Sequence, residues 1–199
     1  MSNRRIALVA IPFAILLTVC DSVFHVRTNT LEYHWNPQVL DQTILVPLTF
    51  WLAAVGMLLT VRVVHPSAPA VTGAKVVDGL VLVVLAYLAS GLIAPDHAIA
   101  YAVALLFGWI VRLAWRTDRR TAVVIGVAIA SGGVLGEASL SALGEFSYLH
   151  PDVLGVPWWL FPLYLHGSMV AIDLVALRRR GASATSRVTG RRQPATSRP

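Results

Sequence analysis

Residues 76–115 read VVDGLVLVVLAYLASGLIAPDHAIAYAVALLFGWIVRLAW, two apolar runs of about 20 residues each, interrupted only by Pro95-Asp96. A helix needs ~20 apolar residues to cross a bilayer, so each run is long enough to span one. Proline cannot continue a helix and aspartate caps the next one, so Pro95-Asp96 marks a tight turn between them. The same stretch also suits a re-entrant hairpin; apolar length favours two full crossings, and either choice leaves the parity of crossings unchanged.

Working outward, four more segments meet the length criterion, giving expected spans at 6–26, 43–64, 76–94, 97–115, 121–143 and 157–177. The first follows Arg4 and Arg5 as a signal peptide would. Its apolar run is too long for one, and no small-x-small cleavage site ends it before Asp21, so it reads as a retained helix. The fold class expected is therefore all-α, a polytopic bundle of six transmembrane helices in one domain over 1–177. Residues 178–199 form a basic tail rich in Arg, Ser, Thr and Gly, expected to lack fixed structure. Composition agrees: 56% of the 199 residues are hydrophobic and 13% charged, where a soluble domain carries roughly a quarter charged residues.

Charge then orients the bundle. Of 16 Lys and Arg residues, Arg27 alone falls on one side of an alternating six-span arrangement. The rest fall on the side of the termini, seven of them in the tail. By the positive-inside rule both termini are cytoplasmic, in a cytoplasmic membrane. The tail has no aromatic residue and no helical apolar face, which argues against nucleic acid and for anionic lipid headgroups. The lone cysteine, Cys20, permits no internal disulfide.

Ionisable groups inside spans are costly and so are candidates for function. Asp41 and Asp78 are placed to cap or favour helix starts, and Asp173 lies within reach of Arg178 and the interface. Asp21 and Glu137 are set about 8 Å deep at 1.5 Å per residue and are candidates to line a cavity. Helix 5 carries Gly126, Ala130, Gly132, Gly133, Gly136 and Ala138. Such small residues permit close helix packing, leave room for a lipid tail, or offer a face for self-assembly. Tyr33, Trp35, Phe146, Tyr148, Trp158 and Trp159 read as an interfacial belt on one side, and Trp115 on the other. Trp51, Tyr87, Trp109 and Tyr164 lie deeper, as pocket walls or ordinary packing. The six histidines show no paired i, i+4 spacing, so no metal is expected. No phosphate loop, nucleophile elbow or Cys pair is present. No cofactor or catalytic residue is expected, although Glu137, Asp21 and Asp152 would supply acid and base if the chain were a membrane enzyme of isoprenoid or carotenoid metabolism.

The segment Phe146-Ser147-Tyr148-Leu149-His150-Pro151-Asp152-Val153-Leu154-Gly155-Val156-Pro157-Trp158-Trp159-Leu160 resembles a signature of the Insig family. The matching residues are Tyr148, Pro151, Asp152, Leu154, Val156, Trp159 and Leu160, with Gly144 before them. Pro37-Gln38-Val39-Leu40 and the connector ending Trp115-Arg116-Thr117-Asp118-Arg119-Arg120 are similar to family segments in the same order. The chain departs at His150, where the family has serine, and in its basic tail. The resemblance implies a non-enzymatic protein that binds an amphipathic lipid among its helices and then grips a membrane-protein partner. The ligand would be a sterol-like lipid, a hopanoid or a diacylglycerol. Asp152 matches the aspartate with which family members hold the escort protein Scap. Asp21, Trp51, Tyr87, Trp109, Glu137, Phe146, Tyr148 and Trp159 are the expected lipid-binding residues. A homo-oligomer is a further expectation.

Overall fold

A computed structural model describes residues 2–189, with side chains as far as residue 177. Six helices are long and apolar enough to cross a membrane. They are α1 (Asn3–Asp21), α2 (Val46–Val64), α3 (Gly73–Leu92), α4 (Ala98–Ala114), α5 (Arg119–Ala142) and α6 (Leu160–Thr189). α1 begins where the Ser2 hydroxyl accepts from the Arg5 backbone N–H at 3.4 Å, and α3 where Thr72 does the same for Lys75. Pro95 opens the single turn before α4, at the break read from the sequence. α4 then runs as a separate span. The basic segment from 178 continues α6 to Thr189, and the rest of the expected disordered tail, 190–199, lies outside the described residues.

α6 is the central element. It packs on α5, α3, α2 and α4, while α1 packs chiefly along α2. Most of α6 is enclosed by protein, whereas α4 is the span most open to lipid. Between Leu160 and Leu177 most side chains of α6 are buried, the polar His166, Ser168 and Asp173 among them. Small residues of α5 permit its approach to α6. A Cβ on Gly126 would stand 3.3 Å from Leu165, Ser168 and Trp109.

Six crossings put the N-terminus and the exit of α6 at one end of the bundle. The far end is closed by backbone that the all-α expectation did not include. β1 (Leu31–Tyr33) pairs antiparallel with β4 (Phe146–Tyr148), setting Leu31 opposite Tyr148 and Tyr33 opposite Phe146. β2 (Gln38–Val39) and β3 (Gln42–Thr43) form a hairpin whose turn residues Leu40 and Asp41 both have left-handed φ, 55° and 61°. A two-residue hairpin turn requires that conformation. Asp41 is therefore a turn residue and not the cap expected for α2, which starts at Val46. α1 itself widens into one π-helical turn, Ser22–Val26, before the chain enters this cap.

Two further expectations change. Tyr33, Phe146, Tyr148 and Trp159 are buried and do not form an interfacial belt, while Trp35 and Trp158 remain exposed. Asp173 is buried inside the bundle, where it accepts from Arg116, and the side chain of Arg178 lies outside the described residues.

Candidate functional site

The far-end cap lies over two polar centres. Asp21, at the last position of α1, is buried and fully engaged. Its Oδ2 accepts from the Tyr33 hydroxyl at 2.8 Å and from Gln42 Nε2 at 2.6 Å. Its Oδ1 faces His25 Nδ1 at 3.2 Å, one helical turn on. His25 Nε2 meets Ser90 Oγ on α3 at 2.9 Å, and Ser90 donates to the Tyr87 carbonyl. The His25 ring stacks on Tyr87 with centroids 4.5 Å apart and tilts against Trp159 at 5.4 Å. Desolvation, with the Asp21 carboxylate beside it, pushes the Tyr33 phenol well above its ordinary value. Tyr33 therefore stays a donor throughout the physiological range.

Glu137 is the second centre. Its Oε2 accepts from the Tyr148 hydroxyl at 2.5 Å and its Oε1 from Tyr164 at 2.6 Å. A carboxylate at this depth is costly unless hydrogen-bonded, and two phenols supply the donors. Tyr164 reaches it because α5 has glycine alongside: a Cβ on Gly133 would lie 2.6 Å from the Tyr164 ring. Edge contacts run from Tyr33 to Phe146, Tyr148 and Trp159, each pair at 5.7–6.0 Å. These rings roof the bundle.

Below the roof lies a cavity of about 100 Å³ among α1, α2, α3, α5 and α6. Its walls are apolar, formed by residues such as Phe13, Leu17, Phe50, Met57, Val84 and Leu163, with Glu137 as its one carboxylate. A second chamber of about 200 Å³ adjoins it toward the roof, lined by Asp21, Tyr33, Gly133, Phe146 and Tyr148. Phe50, Ala53, Tyr87, Glu137 and Tyr164 belong to both. The arrangement provides an apolar hollow with one hydrogen-bonding end, a form suited to an amphipathic molecule.

The structure thus gathers Asp21, Tyr87, Glu137, Phe146 and Tyr148 around one space. Trp159 meets Tyr148 edge-on and lines an outer polar pocket that it shares with Ser90, Thr30 and Asp152. Trp51 and Trp109 lie elsewhere. The Trp51 indole donates to the Ala7 carbonyl at 3.0 Å, locking α2 to α1. Trp109 is buried against Ala130, Leu165 and Met169, with no partner for its indole N–H among the described residues. Asp152 is exposed and accepts from the Trp158 backbone N–H at 2.8 Å, just before α6. Beside it, Leu154 and Gly155 form a left-handed turn between the bridged residues Val153 and Val156. Sequence reasoning passed over His25, Gln42 and Ser90 and assigned Tyr33 to the interfacial belt. The i, i+4 relation of Asp21 and His25 was a usable signal; the other three come from separate elements.

A third buried polar centre sits at the end of the termini. Arg116 donates to Asp118 through Nε and Nη2, at 2.8 and 3.0 Å, and through Nη1 to Asp173 at 2.8 Å. His65 Nε2 donates to Asp118 at 2.8 Å. Burial works against the Asp118 charge, but the hydrogen bonds from Arg116 and His65 outweigh it and hold the carboxyl at about 2. Burial likewise opposes the Arg116 charge, and the two carboxylates hold the guanidinium above its ordinary value. Nearby, Arg112 Nη1 donates to His166 Nδ1, and His166 Nε2 donates to the Leu105 carbonyl, both at 2.9 Å. Among the described residues no three metal-ligating side chains come together.

Two solved structures share this architecture. One is the mycobacterial Insig homolog MvINS from Mycobacterium vanbaalenii, 26% identical, with a TM-score of 0.75 over 94% of this chain and 96% of that one. The other is a cross-linked trimer of a cysteine variant of MvINS, 26% identical, with a TM-score of 0.74 over 87% of this chain and 95% of that one. No family model and no curated protein matches the chain.

Proposed function

From the premise that this chain is a bacterial homologue of the Insig family, we propose that it binds one amphipathic lipid in the cavity beneath the aromatic roof. The observation that carries the reading is Glu137. It stands as the one carboxylate on an otherwise apolar wall, held by Tyr148 and Tyr164. A sterol-like lipid, a hopanoid or a diacylglycerol offers the matching form, a small hydroxyl-bearing head on a long apolar body. Glu137 would accept from the head, and Phe50, Met57 and Leu163 would receive the body. Asp21, Tyr87, Phe146 and Tyr148 complete the polar end.

The reading is one of binding and not of turnover. The oxygens of Glu137 and of Asp21 are already engaged as acceptors by neighbouring side chains, which suits fixed recognition better than proton transfer. On this reading the protein is a lipid sensor or a regulator of another membrane protein. On the same reading both termini face the cytoplasm, which the Lys and Arg distribution supports. Self-assembly is proposed as well, in keeping with the MvINS trimer. Asp152 is the proposed contact for a membrane-protein partner.

Native mass spectrometry of the purified protein tests the central claim. The expected result is a co-purifying lipid at one per chain, lost in Glu137→Gln. A protein that carries no lipid and shows no saturable binding overturns the reading.

A further inference from the structure

The central cavity is small for its proposed ligand. Small-molecule sites typically enclose about 300–1,000 Å³, against about 100 Å³ here. At its far end it meets the chamber of about 200 Å³ beneath the roof. A second hollow lies beside it, a groove of about 570 Å³ facing the bilayer, lined by Arg5, Leu8, Val9, Pro12, Phe13, Leu16, Leu80 and Leu174. Phe13, Leu16, Leu80 and Leu174 line both spaces. These four half-buried side chains stand where the two spaces adjoin.

The helix packing places the groove. α1 follows α2, α3 follows α6, and the two meet each other only sparsely. They are pinned at the far end, where Gly91 sits against the Phe24 carbonyl so closely that a Cβ would lie 1.5 Å from the oxygen. Toward the end of the termini, Leu8 and Leu80 line the groove together with exposed Arg5. Along α1, Arg5 to Cys20 covers about 22 Å at 1.5 Å per residue, most of the depth of a ~30 Å hydrocarbon core. Cys20 lines the cavity at its upper end.

We propose that this groove is the lateral entrance to the cavity, occupied by an acyl chain of an anionic glycerophospholipid from the leaflet on the side of the termini. The proposal rests on the reading of the cavity as a lipid site, and describes the lipid that enters from the bilayer with its head at Arg5, in place of one already seated with its head at Glu137. The headgroup phosphate lies at Arg5, an electrostatic attraction that a zwitterionic lipid offers more weakly. The chain follows Leu8 and Pro12 and passes between Phe13, Leu16, Leu80 and Leu174 as these change rotamer. Groove and cavity then form one continuous space for a chain that neither holds alone.

The test uses the full chain in phosphatidylglycerol vesicles with a trace of phosphatidylglycerol carrying a diazirine near the end of one acyl chain. Irradiation is followed by mass-spectrometric mapping of adducts. The proposal expects adducts on cavity residues such as Phe50 and Met57, cut at least fivefold by Leu80→Trp and raised by Leu80→Ala. Opposite responses separate a gate from a folding defect, since a misfolded variant would not gain. Arg5→Gln should lower labelling severalfold in phosphatidylglycerol and leave a phosphatidylcholine probe in phosphatidylcholine vesicles unaffected. Cavity adducts that ignore both Leu80 variants overturn the entrance and leave the cavity reading standing. Equal labelling by the two headgroups, insensitive to Arg5→Gln, overturns the choice of an anionic lipid. Groove adducts without any cavity adduct in the unaltered protein overturn the entrance, and the cavity reading itself falls only if the co-purified lipid is missing too.

Discussion

Glu137 shows how much depends on single hydrogen bonds inside a membrane-spanning bundle. Its two oxygens satisfy two buried phenols, Tyr148 from the roof and Tyr164 from the central helix. Replacing it with leucine removes the acceptor from both. A buried donor left unmatched costs about 1–3 kcal/mol, so Glu137→Leu should lower the thermal unfolding midpoint in detergent. Glu137→Gln keeps one carbonyl acceptor and should lose less. Gly133→Ala supplies an independent check, because its methyl group would displace the Tyr164 ring and break one of the two bonds while leaving the carboxylate. It should destabilise as well, and unfolding monitored by tryptophan fluorescence would show the order of the three. An unchanged midpoint in Glu137→Leu would mean the phenols find other partners. At this scale the sequence was partly legible. Depth within a span singled out Asp21 and Glu137, because an ionisable group there needs a reason. Their partners were not legible, since Tyr33, Gln42, Tyr148 and Tyr164 come from four other elements, and no local pattern ties a phenol to a distant carboxylate.

Among the elements, the connector from α4 to α5 differs most from its sequence reading. Trp115 to Arg120 reads as a charged surface turn that sets orientation. Arg116 instead points inward, where it joins Asp118 at the start of α5 to Asp173 on α6, while His65 brings in the end of α2. A charge count treats every arginine as solvated and has no means of finding the one that turns inward. The acid response should report this cluster. The Asp118 carboxyl is held at about 2, below its ordinary 3.8. A depressed carboxylate stabilises the folded state above its unfolded value and loses that contribution as pH falls through its folded one. Asp118→Asn should therefore be less stable than the unaltered protein near neutral pH. The gap should narrow as pH drops from about 4 toward about 2. Melting curves of both proteins across that range would show the convergence, and a gap independent of pH would assign the loss to packing. The far-end strands were hidden for a related reason. β1 and β4 have three residues each and are more than 100 positions apart, so periodicity has too little length to register either.

For the molecule as a whole, six spans follow from apolar length alone, and the architecture shared with MvINS rests on the same six. Hydropathy identifies which segments cross but says nothing of which helix ends up central, because packing order in lipid is set by close approach and not by apolarity. That α6 occupies the middle is legible only in three dimensions. Orientation is the remaining property of the whole molecule, and it can be tested directly. The single cysteine of the sequence, Cys20, is buried, so a cysteine introduced at an exposed loop position reports with little background. Exposed Asn36 and Leu149 sit in the far-end loops, while exposed Ser67 and Thr117 sit in the two connectors on the other side. If both termini are cytoplasmic, Asn36→Cys and Leu149→Cys should react with a membrane-impermeant maleimide added to intact cells. Ser67→Cys and Thr117→Cys should react only after the membrane is opened. The reverse pattern would place the arginine-rich side outside, against the positive-inside rule. A mixed pattern within either pair would mean that a single helix between the two sites fails to cross. An α3–α4 pair that re-entered on one side would leave all four sites unchanged, so exposed Asp96→Cys, in the turn between them, completes the test: it should react in intact cells if both helices cross.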